Sequence, residues 1–245
     1  MIPLLTEHSF FKDNQDFVLF GLQHLLAILF FGFAGTLLIR WARKLPKRRQ
    51  IRIGNIFAFS LTLTIVISTL LKSYLYGFNV QKDLPLHLCN IMALGMPLLS
   101  LTRKKSYYEV LLFWVFAGTL QAIITPDLQN GFPHHIFLRY WMVHADLVVF
   151  MLYATYVYGL RPSLKSVFRS FGSLQVYIVL MMLVNYLLGS NYFFTNRKPA
   201  AASALDYLGD WPNYILVVEL MMIPYFLLIY LPFYLSGKKK ALNTA

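Results

Sequence analysis

The sequence predicts an all-α integral membrane protein. It is a single transmembrane domain over residues 1–245, built as a seven-helix bundle with its N-terminus outside and its C-terminus in the cytoplasm. Three observations predict it. Apolar residues make up 58% of the chain and the mean hydropathy is +0.57, more apolar surface than a soluble domain can hide. These residues gather in seven runs of about 17–23 residues, each enough to cross roughly 30 Å of hydrocarbon. The basic residues are sorted by loop. "RWARKLPKRRQIR" holds seven Lys or Arg; Arg103, Lys104 and Lys105 follow the third run; Arg161, Lys165 and Arg169 follow the fifth; and Lys238, Lys239 and Lys240 lie in the tail. That puts sixteen on one side and six on the other, and the positive-inside rule places the sixteen in the cytoplasm of a multi-pass plasma-membrane protein.

The helices are expected at about 17–39, 54–76, 85–101, 107–124, 136–158, 171–188 and 213–235. The first carries His24 about 10 Å in from the outer side. The second ends near Lys72, with Gly77 as its exit. The third begins at "LPLHLCN", with Pro85 in its first turn, where a missing N–H costs little, and Pro97 inside it as a kink. The fourth has Glu109 at its inner mouth and Gln121 near its outer end. The fifth carries Arg139, His144 and Asp146, with His144 about 12 Å deep. The sixth has Gln175 near its inner start, Asn185 near its outer end and Gly189 as its exit. The seventh places Glu219 about 9 Å from the outer side and contains Pro224. Trp141, Tyr192 and Trp211 read as interfacial anchors.

Composition excludes some classes. The net charge of +12 is accounted for by topology and faces anionic headgroups, so no nucleic-acid partner is expected. One cysteine forbids an internal disulfide and any multi-thiolate metal site. "MIPLLTEHSFFKDNQDF" lacks a basic n-region, so no cleaved signal peptide is expected. Neither a cofactor, a metal nor a soluble partner is expected.

Ionisable residues inside a span are costly and usually face a bundle interior or cavity. Here they concentrate in the outer half, which predicts a water-accessible chamber opening outward. Each has two readings. Cys89 is a small buried hydrophobe or a nucleophile, and the second needs a nearby base. His144 is the best candidate base, or a structural histidine. His87 lies on a different helical face from Cys89 and can meet His144 or a headgroup. Asn90 and Gln121 can donate to an oxyanion, or Asn90 can bridge helices. Asp146 and Glu219 can orient an imidazole; Glu219 can equally pair with Arg139 or Lys72. Arg197 and Lys198 can clamp a phosphate or form a solvated pair. The "HH" at 134–135 is weak evidence for metal.

"LPLHLCNI", "FWVFAGTLQAIITPDLQNGFPH", "WMVHADLVV" and "NYFFTNRKPAAASALDYLGDWPNYIL" resemble, in this order, the YwaF-like bacterial integral membrane family. That family is similar in turn to a eukaryotic transmembrane family that makes polyunsaturated ether phospholipids. The resemblance implies an acyltransferase working through a cysteine in an "HLC" motif, matching Cys89, and a histidine two helices later, matching His144. It implies phospholipid and lysophospholipid substrates.

The reading is a membrane-embedded phospholipid acyltransferase or transacylase with an acyl-thioester on Cys89. Two alternatives stand beside it. One is a binding or transport protein using the same cavity; the other is a haem or quinone protein pairing His24 with His144.

Overall fold

In a computed structural model of the chain, residues 8–199 and 204–242 are described, and the side chains of residues 204 and 238–242 lie outside that description. All regular structure among the described residues is helical. In chain order the helices are α1 (Leu22–Ala42), α2 (Lys47–Tyr76), α3 (Leu88–Thr102), α4 (Lys105–Ile124), α5 (His135–Tyr156), α6 (Leu164–Leu188) and α7 (Asn213–Leu242). Six of these are long and apolar enough to cross a membrane. The other, α3, has 15 residues and reaches roughly 22 Å, short of a full hydrocarbon core. The protein is therefore multi-pass, with six candidate crossings rather than seven of equal standing.

Several boundaries differ from those expected, each for a local reason. Apolarity alone starts α2 too late, because "KRRQIRI" is charged yet made largely of good helix formers, so the helix begins at Lys47. Helix α6 begins at Leu164, where a Ser163–Ser166 capping box satisfies the first amides. Pro85 precedes α3 rather than sitting in its first turn, since His87 is the N-cap. Gly77 and Gly189 do close α2 and α6, at φ +78° and +62°, a region that costs glycine nothing. Helix α4 contains a π-helical turn at Val115–Thr119. Pro97 lies inside α3, and Pro224 and Pro232 inside α7.

The core sits around α5, the most buried span, against which α1, α2, α3 and α4 pack. Helix α2 lies along α3, α4 along α6, and α6 along α7. Thr62 donates to the Ala93 carbonyl at 2.9 Å, tying α2 to α3. Small residues let elements approach: a Cβ on Gly54 would fall 1.8 Å from the Tyr158 hydroxyl, and one on Gly35 2.6 Å from Val149. Leu29, Phe33, Leu63, Val179, Leu183 and Leu220 point outward and exposed. Apolar surface of that extent on every outer helix fits lipid, not water.

The two ends differ. At the basic end, buried Glu109 pairs with Arg169 and lies 3.6 Å from Lys105. At the other end, where α3 and α5 begin, loops are stitched by side-chain amides. Asn130 accepts from the Asn14 amide at 3.0 Å, and Asn14 accepts from the Gly131 amide at 2.8 Å. Much of the "QNGFPH" signature thus holds residues 13–17 in place.

A polar cluster at the start of helix α3

The thiol of Cys89 is half-buried one residue into α3, and Sγ lies 3.8 Å from Oδ1 of Asn90. The same oxygen accepts from Nη2 of Arg139 at 3.1 Å, while Nε of Arg139 donates to Ser68 Oγ at 2.9 Å. Residues of α2, α3 and α5 thereby converge on one point. Tyr140 and Tyr177 also lie within electrostatic range of the thiol.

Two aromatic residues hold the segment that delivers Cys89. Tyr177 of α6 donates to the Leu86 carbonyl at 2.5 Å. Tyr192 accepts from the Leu84 amide at 3.0 Å and donates to the Val80 carbonyl at 2.7 Å. The His87 ring packs against Tyr192 and Phe194, at 5.4 and 5.3 Å between centroids. Tyr192 is itself fixed by buried Asn185, which donates to its carbonyl at 2.8 Å and accepts from its amide at 2.7 Å. So Tyr192 is not an interfacial anchor: its ring is buried because both hydroxyl bonds are made inside the protein. Trp141 is likewise buried, packed on His24 at 5.5 Å. Trp211 is exposed but donates to the Thr195 carbonyl at 3.0 Å. The π turn of α4 adjoins the site, since a Cβ on Gly118 would lie 3.6 Å from Leu88, and Tyr225 donates to the Phe116 carbonyl at 3.4 Å.

His144 stacks on Tyr140 at 4.1 Å, and its Nδ1 lies 2.8 Å from the Tyr140 carbonyl. A carbonyl only accepts, so Nδ1 carries the proton and Nε2 keeps its lone pair. Nε2 has no hydrogen bond among the described residues, and it is not one of the polar atoms sealed by protein. Arg139 lies within electrostatic range of both His144 and His87. The imidazole and the thiol make no hydrogen bond to each other here; Cys89 points to Asn90 instead.

The other expected site residues separate from this cluster. His24 is fully buried: Nδ1 accepts from the Phe20 amide at 3.0 Å and Nε2 lies 2.9 Å from the Ile123 carbonyl. Both nitrogens are committed, so the paired His24–His144 haem arrangement lacks its first ligand. Gln121 donates to Thr125 at 2.8 Å, the residue that caps its own helix. Glu219 accepts from Gln175 at 2.5 Å rather than pairing with Arg139 or Lys72. The early start of α6 explains this, because it moves Gln175 from the helix mouth to mid-span. Asp146 has no hydrogen bond or ion pair among the described residues, so neither carboxylate orients His144; the Tyr140 carbonyl does. Lys198 lies 3.8 Å from Asp210 and 6.0 Å over the Tyr214 ring, and Arg197 is exposed. Lys72 is paired with Asp83. His134 lies 3.5 Å from Asp13, His135 Nδ1 lies 3.2 Å from the Phe10 carbonyl, and the described residues contain no group of three metal-ligating side chains.

The sequence reading names Arg139 as an ionisable residue of the fifth helix and a possible partner of Glu219, but not as a site residue. The signal was present: an arginine one turn into an apolar helix beside the Tyr140–His144 pair, spaced i, i+4. Two surface grooves, of about 540 and 340 Å³, lie at the basic end, the first lined by Arg48, Arg52, Asn55, Ile56 and Phe59 of α2 and the second by Arg40, Arg43 and Lys44. Neither is the chamber expected near Cys89.

Comparison with known proteins places the chain. It is 26% identical over 228 residues to an uncharacterized protein of Treponema pallidum (strain Nichols), a match covering 90% of this chain and 92% of the relative. No solved structure matches it significantly. The YwaF-like name is carried by neither match. A model of the TMEM164 family matches residues 19–230, a span that includes Cys89, Arg139 and His144 and most of the chain, so the chain belongs to the TMEM164 family.

Proposed function

We propose that this protein is a membrane phospholipid acyltransferase or transacylase whose nucleophile is Cys89. The observation that carries the reading is the 2.8 Å contact of His144 Nδ1 with the Tyr140 carbonyl, which leaves Nε2 to accept a proton, while Arg139, within electrostatic range of this imidazole, is bonded to the same Asn90 oxygen that the thiol meets. A cysteine nucleophile requires an oriented, unprotonated base, and His144 is the imidazole that Arg139 links to this cluster.

In this mechanism the thiol leaves Asn90 as lipid enters, and His144 Nε2 takes its proton. The thiolate attacks an acyl ester carbonyl. Asn90 Nδ2 and the first amides of α3 face the tetrahedral oxyanion. The intermediate collapses, the C–O bond breaks, and the imidazolium returns the proton to the departing lysophospholipid oxygen. A second lysophospholipid hydroxyl, or water, then attacks the thioester with His144 again as base. Substrates arrive laterally from the bilayer.

The same reading takes α3 as a short seventh crossing, with the basic end in the cytoplasm of a plasma-membrane protein and the Cys89 end outside. The test is incubation of purified protein with acyl-labelled phospholipid. A hydroxylamine-sensitive acyl adduct is expected in wild type and absent in Cys89→Ala. An adduct of equal size in Cys89→Ala removes the nucleophile assignment, and solute uptake into proteoliposomes without lipid turnover favours transport instead.

A further inference from the structure

The Arg139 guanidinium is held inside the bundle by Ser68 and Asn90, yet none of the described carboxylates forms an ion pair with it. Asp83 is taken by Lys72, Glu219 by Gln175, and Glu109 lies at the other end with Arg169. Its Nη1 edge makes no hydrogen bond among the described residues and is not sealed by protein. A cation withdrawn from water without a counter-ion is costly. Its two side-chain partners are a hydroxyl and an amide oxygen. A planar guanidinium clamped on one edge presents the other for two parallel bonds to a phosphate.

Position gives the anion a function. Arg139 and Cys89 share the single acceptor Asn90 Oδ1, so the guanidinium and the thiol sit side by side. In a glycerophospholipid the phosphodiester and the acyl esters are carried by neighbouring glycerol carbons. We propose that Arg139 binds the headgroup phosphodiester of the lipid and thereby places its acyl ester at Cys89, the role that Arg197 and Lys198 were expected to fill. This deepens the acyltransferase reading and rests on it only for what happens after binding.

The test separates the two. The Cys89→Ala protein, in detergent micelles, is titrated with a 1,2-dialkyl glycerophosphocholine, which has no ester to transfer, with the matching dialkylglycerol, and with inorganic phosphate. The dialkyl phospholipid is expected to bind at least tenfold more tightly than the dialkylglycerol. Adding Arg139→Gln should erase that gap and Arg139→Lys should restore part of it, at unchanged melting temperatures. If Arg139→Gln does not fold, a several-fold weakening for the phospholipid alone in Arg139→Lys carries the same expectation. A gap that persists in the folded Arg139 variants overturns the proposal. So does inorganic phosphate binding that the dialkyl phospholipid fails to displace, since the site is then one for the free ion. Phosphate-dependent lipid binding in a protein that forms no acyl adduct on Cys89 would sink the enzymatic reading and leave this one standing.

Discussion

Two histidines at similar depth, His24 and His144, differ in what their second ring nitrogen meets. In His24 both nitrogens are bonded, to Phe20 and Ile123; in His144 only Nδ1 is, to Tyr140. His24→Phe keeps the ring but strands a buried carbonyl and amide, so it is expected to cost about 1–3 kcal/mol, read as a lowered unfolding midpoint. His144→Gln is expected to leave the midpoint nearly unchanged and to lower acyl-adduct formation by about 10²–10⁴-fold. Equal losses of stability in both would assign His144 a structural role. The Lys72–Asp83 pair gives a pH prediction. Burial pushes the Asp83 carboxyl up, but the hydrogen bond and charge of Lys72 and the Asn79 amide outweigh it, and the group titrates below its ordinary value of 3.8. A depressed carboxylate contributes stability that is present above its unfolded pKa and lost as pH falls through its folded one. Lys72→Met is therefore expected to melt below wild type at pH 7, by less than about 1 kcal/mol because the lysine is half-exposed. The difference should close once pH drops below the ordinary carboxylate range. His24 and His144 read alike in sequence because depth is periodicity and length, whereas the partner that distinguishes them, the Ile123 carbonyl on His24 Nε2, comes from another helix.

At the scale of elements, α3 is too short to fix its own start, and Tyr177 and Tyr192 fix it from outside. Tyr192→Phe removes a donor to Val80 and an acceptor for Leu84. Amide hydrogen exchange in residues 79–87 is expected to quicken, while α2 and α6 keep their protection. Uniform acceleration across the chain would show that Tyr192 supports the whole bundle. Gly54→Ala tests the opposite end. The new methyl would meet the Tyr158 hydroxyl, which is already bonded to Ser100 at 3.0 Å, and overpacking of this kind costs about 1–3 kcal/mol. That loss should appear in thermal unfolding without changing lipid binding near Cys89. The elements themselves were largely legible, since apolar runs and exit glycines such as Gly77 and Gly189 are local signals. The starts of α2 and α6 were not, because a helix begins ahead of its apolar stretch wherever charged helix formers or a capping box support it.

For the whole molecule, the number of crossings sets the relation between the two chain ends. Six crossings leave both ends on one side; seven separate them. With α3 as a short crossing, an epitope placed before residue 8 and one placed after residue 242 are expected on opposite faces, by protease access in intact and permeabilised cells. Both epitopes on the same face would make α3 a re-entrant element. Cys89, the chain's single cysteine, reports the same question through labelling by a membrane-impermeant maleimide, expected from the extracytoplasmic face.

Composition, run length and the sorting of lysine and arginine by loop determined by themselves that this is a helical, multi-pass membrane protein, because each is a property of consecutive residues in a low-dielectric solvent. They also picked out Cys89 and His144 as chemically expensive positions. Only the tertiary structure decided which expensive residues are satisfied and which are left open: His24 closed by Phe20 and Ile123, Glu219 by Gln175, Arg139 held by Ser68 and Asn90 with one edge free. The physical reason is azimuth. Depth along a helix follows from counting at about 1.5 Å per residue, but the direction a side chain faces depends on how seven helices pack against each other, and Ile123, Gln175, Ser68 and Asn90 each come from a different element than the residue they meet.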